Sequence, residues 1–514
     1  MACKEIFVDA LLWRILPVAA GLWCSHAGAA DQPQWGQAWS RNMVSEEKGL
    51  PDSFDPKTGR NVKWCAHLGT DSYATPIIAG GRVYIGTNNE DPRDPNHTAD
   101  SGVLMCFDEA TGRFLWQLVV PKREEDPYLD WPKTGWSSPV TVEGNRVYVV
   151  SSRGEVMCLD ARGMADGNQG PYTNEALHMI PRGTNAPVHP PPAGPQDADI
   201  LWLFDLTAGA GIWSHDAAHS SILIDGNYLY LNSGTGVDNT HKRIRTPNAP
   251  SLLVFDKRSG RFVARDDEHI ATNIFHSTWS SPSMGQVAGR PLIFFAGGNG
   301  VVYAFERFDG SVPADGSPAK LKKVWQFDFD PTAPKGDIHP YLSNRLKGPS
   351  NIYGMPVFYD GRLYVAGGGD PFWGKNEAWL KCIDPSKTGD ITESGLLWSH
   401  PLERHVISTP VIRDGLVFIP DYGRHLHCLD AGTGETVWTR EIQGEIWSSP
   451  LVADGKVYVG TRTGQLSVFS ADREGKTLAT VDVGGPIAGT PTAANGVLYI
   501  STASRLYALA NPAH

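Results

Sequence analysis

Four residues in two short segments of the chain have side chains suited to bind a metal ion. His215, Asp216 and His219 lie within residues 213–219, and His276 lies in a later segment that we expect to approach the first. Imidazole and carboxylate groups are common ligands of transition metals, and imidazoles also relay protons near neutral pH. The spacing matches no rigid ligand motif, so hydrogen-bonded loop histidines are the alternative. The four residues form a candidate metal site.

A second set of candidates combines aromatic and cationic side chains. Its members recur at equivalent positions, with Trp136, Trp279 and Trp447 directly before Ser-Ser-Pro and Arg153, Arg424 and Arg462 in turns between strands. Indole rings with guanidinium groups nearby can hold anionic or sugar-like ligands. The alternative is that the tryptophans pack between structural units while the arginines are solvated. The six residues form a candidate ligand-binding set.

These candidates belong to a unit of about 40 residues that recurs along the chain. Residues 407–438 contain four short alternating strands and three turns, Pro450 follows Pro410 by 40 residues, and Pro491 follows Pro450 by 41. The same frame can be found eight times. Four short strands per unit are typical of a propeller blade, whose faces are buried only when other blades stack against them. The sequence predicts an all-β, eight-bladed β-propeller of four-stranded antiparallel blades.

The eighth repeat has no fourth strand of its own, because only five residues follow Leu509. Residues 61–68, with the sequence NVKWCAHL, form a lone strand that carries a tryptophan. A ring of blades is closed when an N-terminal strand completes the last blade, and closure removes exposed sheet edges. We predict that residues 61–68 complete blade eight.

The N-terminus resembles a signal peptide. An apolar run over residues 11–23 is followed by Ala27-Gly28-Ala29, and the run is too short for a permanent transmembrane helix. We predict a signal peptide at residues 1–30 and a single propeller domain at residues 31–514, without a transmembrane segment after cleavage. The protein is expected to be a monomer that is exported, either periplasmic or secreted. The net charge of −11 argues against a nucleic-acid partner.

Four cysteines occupy the same position of the third strand in four repeats, namely Cys106, Cys158, Cys382 and Cys428. Other repeats have Val or Ala at this position, which indicates a small buried site. Equivalent strands of adjacent blades lie too far apart for disulfides, and no C-x-x-C pair suggests zinc or haem. We interpret the cysteines as packing residues.

The repeats resemble those of the pyrroloquinoline quinone (PQQ)-like repeat family. Its tryptophan-docking motif is matched by CFDEATGRFLW at residues 106–116 and by CLDAGTGETVW at residues 428–438, and the similarity extends from about Trp35 onward. This resemblance implies the propeller fold but leaves the function open. The family includes quinone-dependent alcohol and sugar dehydrogenases and also non-enzymatic scaffolds such as the outer-membrane β-barrel assembly lipoprotein.

The resemblance implies specific requirements for an enzyme. An alcohol-oxidising quinoprotein needs PQQ over a tryptophan, calcium held by carboxylate and amide oxygens, and an Asp base, and many members also have adjacent cysteines. The sequence has no Cys-Cys pair and no recognisable calcium set at matching repeat positions. We therefore expect a binding or scaffold protein without a cofactor, acting through its channel-mouth face on a protein, cell-envelope or small-molecule ligand. A dehydrogenase that uses PQQ and calcium to oxidise an alcohol or sugar is the alternative.

Overall fold

Eight antiparallel sheets form the blades of a closed propeller. The computed structural model describes residues 30–123, 133–182, 189–215, 219–336, 340–341, 347–372 and 375–512. In each blade, the strands are hydrogen-bonded to one another in order from the first to the fourth. The predicted eight-bladed all-β propeller is confirmed.

The first four blades use consecutive strands of the chain. Their strands, from first to fourth, are Ile77–Ala79, Arg82–Asn88, Ser101–Asp108 and Phe114–Pro121 in blade 1; Thr141–Glu143, Arg146–Val150, Glu155–Asp160 and Ile200–Asp205 in blade 2; Leu223–Asp225, Tyr228–Asn232, Leu252–Asp256 and Phe262–Arg265 in blade 3; and Ser283–Val287, Arg290–Ala296, Val301–Glu306 and Lys323–Asp328 in blade 4. Ala319–Lys320 and Gly389–Asp390 add short parallel strands outside blades 3 and 4.

The remaining blades follow the same order. Their strands are Val357–Tyr359, Arg362–Gly369, Ala378–Ile383 and Leu396–Leu402 in blade 5, with Ser350–Asn351 added; Val411–Arg413, Leu416–Pro420, His425–Asp430 and Thr436–Glu441 in blade 6; Leu451–Ala453, Lys456–Gly460, Gln465–Ser470 and Thr477–Asp482 in blade 7; and Thr492–Ala494, Val497–Ser501, Arg505–Leu509 and Val62–His67 in blade 8. Short helices span Gly163–Asp166, Glu175–His178, Leu206–Ala210 and Ile270–Asn273. None of the helices in the described residues is long and apolar enough to cross a membrane.

Small residues on the third strands make room for tryptophans on the fourth. Cys106 pairs with Trp116, and Cys428 pairs with Trp438. Cross-strand partners lie on the same face of a sheet, so a large side chain here would displace the indole. The Trp116 Nε1–H donates to the Ala161 carbonyl of the next blade at 3.0 Å. The five cysteines among the described residues are free, and those on third strands are buried, in agreement with the packing interpretation.

The ring is closed as the sequence predicts. Val62–His67 pairs antiparallel with Arg505–Leu509, so the strand is one residue shorter at each end than the predicted 61–68. Trp64 pairs with Ala508, and its Nε1–H donates to the Glu109 carbonyl of blade 1 at 2.8 Å. Blades 8 and 1 are therefore joined by the same contact that joins other neighbouring blades.

Residues 30–45, here called the plug, close one end of the central channel. The plug hydrogen-bonds to the first strand of every blade through Ile78, Val142, Ile224, Met284, Phe358, Ile412, Val452 and Ala493. Its Arg41 is fully buried and donates to the carbonyls of Pro282 and Ser221, both at 2.9 Å. First strands present an unpaired edge to the channel, and the plug satisfies part of that edge.

Candidate functional site at the channel mouth

The other end of the channel opens into a pocket of about 160 Å³. All eight blades contribute residues from the segment just before their first strand, among them Tyr73, Ser137, His219, Trp279, Tyr353, Ile407, Trp447 and Ala488. Trp35 of the plug also lines the pocket. Thr75 and Ser449 line the pocket wall. Three residues after each of them, Ile78 and Val452 hydrogen-bond to the plug. The plug therefore forms the floor of this pocket, here called the mouth pocket.

The recurring Ser or Thr before proline joins adjacent blades around the pocket. In successive blades its side-chain oxygen accepts a hydrogen bond from a backbone N–H of the neighbouring blade, as in Ser221 N to Ser281 Oγ, Met355 N to Thr409 Oγ1, Thr409 N to Ser449 Oγ and Thr490 N to Thr75 Oγ1. Buried backbone donors need such partners. The Ser/Thr-Pro motif that marks each repeat in the sequence thus fixes the rim of the mouth pocket, where the preceding aromatic residue lies.

Aromatic rings from several blades meet at the mouth pocket. The Trp279 ring lies 4.6 Å from the Tyr353 ring and 5.1 Å from the His219 ring, between centroids. Phe372, which follows the second strand of blade 5, approaches Trp447 at 6.2 Å between ring centroids. Tilted and edge-to-face pairs at these distances are favourable. The pocket is therefore bordered by a connected set of rings and is partly covered by Phe372.

Arg462 places a positive charge at the edge of the mouth pocket, over two of the aromatic rings that line it. Its guanidinium carbon lies 4.7 Å from the Trp447 ring centroid and 5.1 Å from that of Tyr73. Burial and the neighbouring Asp71 carboxylate raise the pKa of Tyr73, so this phenol stays neutral at physiological pH. The structure therefore brings Trp447 and Arg462 together, two members of the candidate ligand-binding set.

Trp279, a third member of this set, also lines the mouth pocket, whereas the remaining three lie elsewhere. Trp136 is fully buried, with none of its side chain exposed, and does not line the pocket. The side chain of Arg424 is exposed on the turn that follows Asp421. Arg153 is buried and belongs to an ionic cluster around Glu155. Equivalent repeat positions thus have different surroundings in different blades.

The Glu155 cluster consists of Glu155, Arg153, His178 and Arg182. The Glu155 carboxylate accepts from Arg153 Nε at 3.0 Å and pairs with His178 Nε2 at 3.0 Å, while Arg182 lies 3.4 Å away. Burial opposes ionisation of Glu155, but the charges of Arg153 and His178 hold its pKa well below the ordinary value. Burial also lowers the pKa of His178. The three basic side chains all pair with the one buried carboxylate, as in a structural ion network.

Three histidines from three loops come together beside the mouth pocket. We call His215, His241 and His276 the three-histidine cluster. One ligand nitrogen from each lies within 4.8 Å of the others, and the ring centroids of His215 and His276 are 5.1 Å apart. His215 and His276 are buried, whereas His241 is half-buried. Of the predicted metal ligands, the structure thus brings together His215 and His276.

Two predicted metal ligands are not in the cluster, and one member was missed. His219 lies beside Trp279 at the pocket wall, and Asp216 lies outside the described residues. His241 was missed because it lies in an insertion between the second and third strands of blade 3, which carries no repeat pattern. The sequence indicates His241 only through the length of this insertion between the second and third strands of blade 3.

Backbone contacts hold the three loops of the cluster in place. His215 N donates to the Gly234 carbonyl and Val237 N to the His276 carbonyl, both at 2.9 Å. A Cβ on Gly236 would lie 2.5 Å from the His276 carbonyl oxygen and 2.7 Å from His215 Cβ. Only glycine allows this approach, so Gly236 packs the loop of His241 against the loops of the other two histidines.

A buried carboxylate orients His276. His276 Nδ1 lies 2.9 Å from Asp370 Oδ2 and 3.0 Å from the Tyr353 hydroxyl, which also donates to Asp370. Burial opposes ionisation of Asp370, but the charge and hydrogen bond of His276 and the Tyr353 hydroxyl lower its pKa. Asp370 follows the second strand of blade 5 and is not one of the site residues predicted from the sequence. A histidine held at Nδ1 presents Nε2 on its other side.

Comparisons with known proteins agree on the fold. A family profile described as outer membrane protein assembly factor BamB matches residues 99–169 and 376–509. BamB from Moraxella catarrhalis is 13% identical with a TM-score of 0.52, covering 87% of this chain and 99% of its own. A europium-containing methanol dehydrogenase is 11% identical with a TM-score of 0.48, covering 94% and 98%. No curated protein matches the chain. At 13% identity, the similarity to BamB is informative about architecture only.

Proposed function

We propose that this chain, whose propeller resembles those of the PQQ-like repeat family, is an exported binding protein that holds a ligand in its mouth pocket. The observation that carries this proposal is the convergence of Trp279, Tyr353, Phe372 and Trp447 over a cavity whose floor is Trp35. Concave sites with aromatic walls and few polar groups are typical of ligand pockets.

The walls favour a ring-shaped ligand with an anionic group. Aromatic faces stack against flat apolar surfaces, and the pocket offers several of them around a small volume. Arg462 beside Trp447 supplies a planar cation suited to a carboxylate or phosphate. We propose an aromatic carboxylate or an acidic sugar, either free or at the end of a larger cell-envelope or protein partner.

PQQ with calcium does not fit the mouth pocket. Calcium takes six to eight oxygen ligands, usually including carboxylates. Among the described residues that line the pocket, none carries a carboxylate, and the nearby Asp370 is engaged by His276 and Tyr353. We therefore derive no redox step for this site, and the dehydrogenase alternative is not favoured.

Export is supported by the sequence of residues 1–30, which lies almost entirely outside the described residues. An apolar run followed by small residues is typical of a cleaved signal peptide. We expect the mature monomer to begin near Ala30. N-terminal sequencing of the protein recovered from the periplasm or culture medium of a bacterial host tests this expectation, and an uncleaved cytoplasmic product would contradict it.

Calorimetric titration tests ligand binding. Benzoate and glucuronate serve as anionic probes, with benzyl alcohol and glucose as their uncharged counterparts. We expect an anionic probe to bind more tightly than its counterpart, and Arg462→Gln to remove that preference. Trp447→Ala should abolish binding, whereas Trp39→Ala should not, because Trp39 is an exposed plug residue that lies outside the mouth pocket. Equal binding by the wild type and Trp447→Ala would contradict the proposal.

A further inference from the structure

We propose that the three-histidine cluster is a mononuclear transition-metal site with an open coordination position toward the mouth pocket. The inference goes beyond the proposed function and does not depend on it, because metal binding can be measured without any pocket ligand. Three features support it: the imidazoles converge, backbone contacts hold their loops, and the Asp370 carboxylate contacts His276.

The three imidazoles converge. One nitrogen from each of His215, His241 and His276 lies within 4.8 Å of the others. Tetrahedral zinc–imidazole bonds of about 2.0–2.1 Å place ligand nitrogens closer together than 4.8 Å, so the side chains must rotate toward one another when the metal binds. Imidazoles from three separate loops thus converge on one small volume. Hydrophobic packing alone does not require this convergence.

The loop that carries His241 is built to present it. Val237 and Ile244 form a bridge at the base of a small hairpin, and His241 lies at its tip with a positive φ of 56°. Asp238 organises the turn, since its carbonyl accepts from His241 N and its carboxylate accepts from Thr240 N. Positive φ is unfavourable for a non-glycine residue and indicates a conformation fixed by its surroundings.

Asp370 supplies the support that metal-binding histidines usually have. A carboxylate on one imidazole nitrogen fixes the tautomer and leaves the other nitrogen to coordinate the metal. Asp370 holds His276 Nδ1 at 2.9 Å, so Nε2 is the coordinating atom. Asp370 is a positioning residue, and Tyr353 fixes it in turn through a hydroxyl hydrogen bond.

The ligand set indicates the metal and its use. Imidazole nitrogens favour zinc, copper, nickel or cobalt over calcium or magnesium, which prefer oxygen. Three protein ligands are typical of zinc sites that keep a fourth position for water or a ligand. The His276 ring lies 5.4 Å from Trp279 and 5.5 Å from Phe372, both at the mouth pocket. An anionic group in the pocket would therefore be near the metal.

The test is metal binding by the mature chain after removal of metal with a chelator. Zn²⁺ is titrated against a competing chromophoric chelator, and the wild type is expected to bind one Zn²⁺ per chain. His241→Ala is the informative ligand variant, because His241 is half-buried and its loss should leave the fold intact. We expect it to weaken Zn²⁺ binding at least 100-fold, and the positioning variant Asp370→Asn to weaken it about 10–100-fold. His219→Ala, a matched mouth histidine outside the cluster, should bind as the wild type does.

Cobalt tests the open position. Co²⁺ in a site with an exchangeable ligand should change its visible absorption when azide is added, and His241→Ala should show neither the initial bands nor the change. A spectrum unaffected by azide would overturn the open position. Equal sub-stoichiometric Zn²⁺ in the wild type and in a folded His241→Ala variant would overturn the site itself.

Discussion

The two ends of the central channel are closed by different kinds of contact. At the plug end, residues 30–45 reach the first strands of all eight blades, largely through backbone groups, and Arg41 donates to carbonyl and hydroxyl oxygens. At the mouth end, side chains meet around a cavity, with aromatic rings, Arg462 and the three-histidine cluster at its border. Backbone contacts stabilise the ring, whereas side-chain groups facing a cavity can bind a ligand.

The two clusters of ionisable side chains also contrast with each other. In the Glu155 cluster a carboxylate lies at the centre, and two arginines and His178 point toward it. In the three-histidine cluster the imidazoles converge on each other, and Asp370 lies behind one of them. Similar residue types therefore form a structural ion network in one cluster and a candidate metal site in the other. The two differ in whether the side chains point toward a carboxylate or toward one another.

Removal of the plug together with the closing strand should have the largest effect. Deletion of residues 31–68 exposes the edge of Arg505–Leu509 and the first strands of all blades, and we expect aggregation or rapid proteolysis. Size-exclusion chromatography and limited proteolysis provide the measurement.

A shorter deletion serves as the comparison. Deletion of residues 31–45 keeps Val62–His67, so the protein should remain soluble but melt at a lower temperature. A monomer of unchanged thermal stability after the longer deletion would show that these contacts do not close the ring.

Glu155→Gln tests whether the Glu155 cluster is structural. Loss of the carboxylate leaves Arg153 buried without its charge partner, and we expect a loss of about 3–5 kcal/mol in unfolding free energy. Urea unfolding at pH 7 measures it. Glu143→Gln is the matched control, because Glu143 pairs with Lys257 at the surface and should cost at most about 1 kcal/mol.

The same variant has a pH signature. The pKa of Glu155 in the folded chain lies well below its ordinary value of 4.5, so its stabilising contribution is complete above that pH. The contribution is lost progressively as the pH falls below 4.5. The melting temperature of the wild type should therefore decline more steeply in acid than that of Glu155→Gln, and parallel curves would contradict the assignment.

The contrast between the two ends also explains what the sequence could predict. The blades and the closing strand follow from alternation, turns and the Trp spacing, which recur in register along the chain. Trp447 and Arg462 were found because they lie at repeat positions. Most of the plug's bonds to the first strands use backbone groups that every residue possesses, so residues 30–45 carry no distinguishing pattern. His241 and Asp370 lie in insertions between the second and third strands of their blades. The length of an insertion can be read from the sequence, but its conformation depends on contacts with neighbouring blades.

Arg41→Met should have an intermediate effect at the plug end. The substitution removes the donors to the Pro282 and Ser221 carbonyls while it keeps most of the side-chain volume. Each buried acceptor left unsatisfied costs about 1–3 kcal/mol. This cost is partly offset because the variant no longer buries a guanidinium. We therefore expect the free energy of unfolding to fall by about 2 kcal/mol. Thermal unfolding measures this loss, and unchanged ligand binding at the mouth pocket would show that the ends are independent.

The smallest stability effect is expected for His241→Ala at the mouth end. His241 is half-buried at a hairpin tip, so without metal its loss should change the unfolding free energy by no more than about 0.5 kcal/mol. A metal that binds only the folded state at 100 times its dissociation constant stabilises the wild type by about 2.7 kcal/mol. Melting curves with and without Zn²⁺ should therefore separate for the wild type and coincide for His241→Ala. If Zn²⁺ raised both melting temperatures equally, the stabilising metal would bind elsewhere, and the proposed contrast between the three-histidine cluster and the Glu155 cluster would fail.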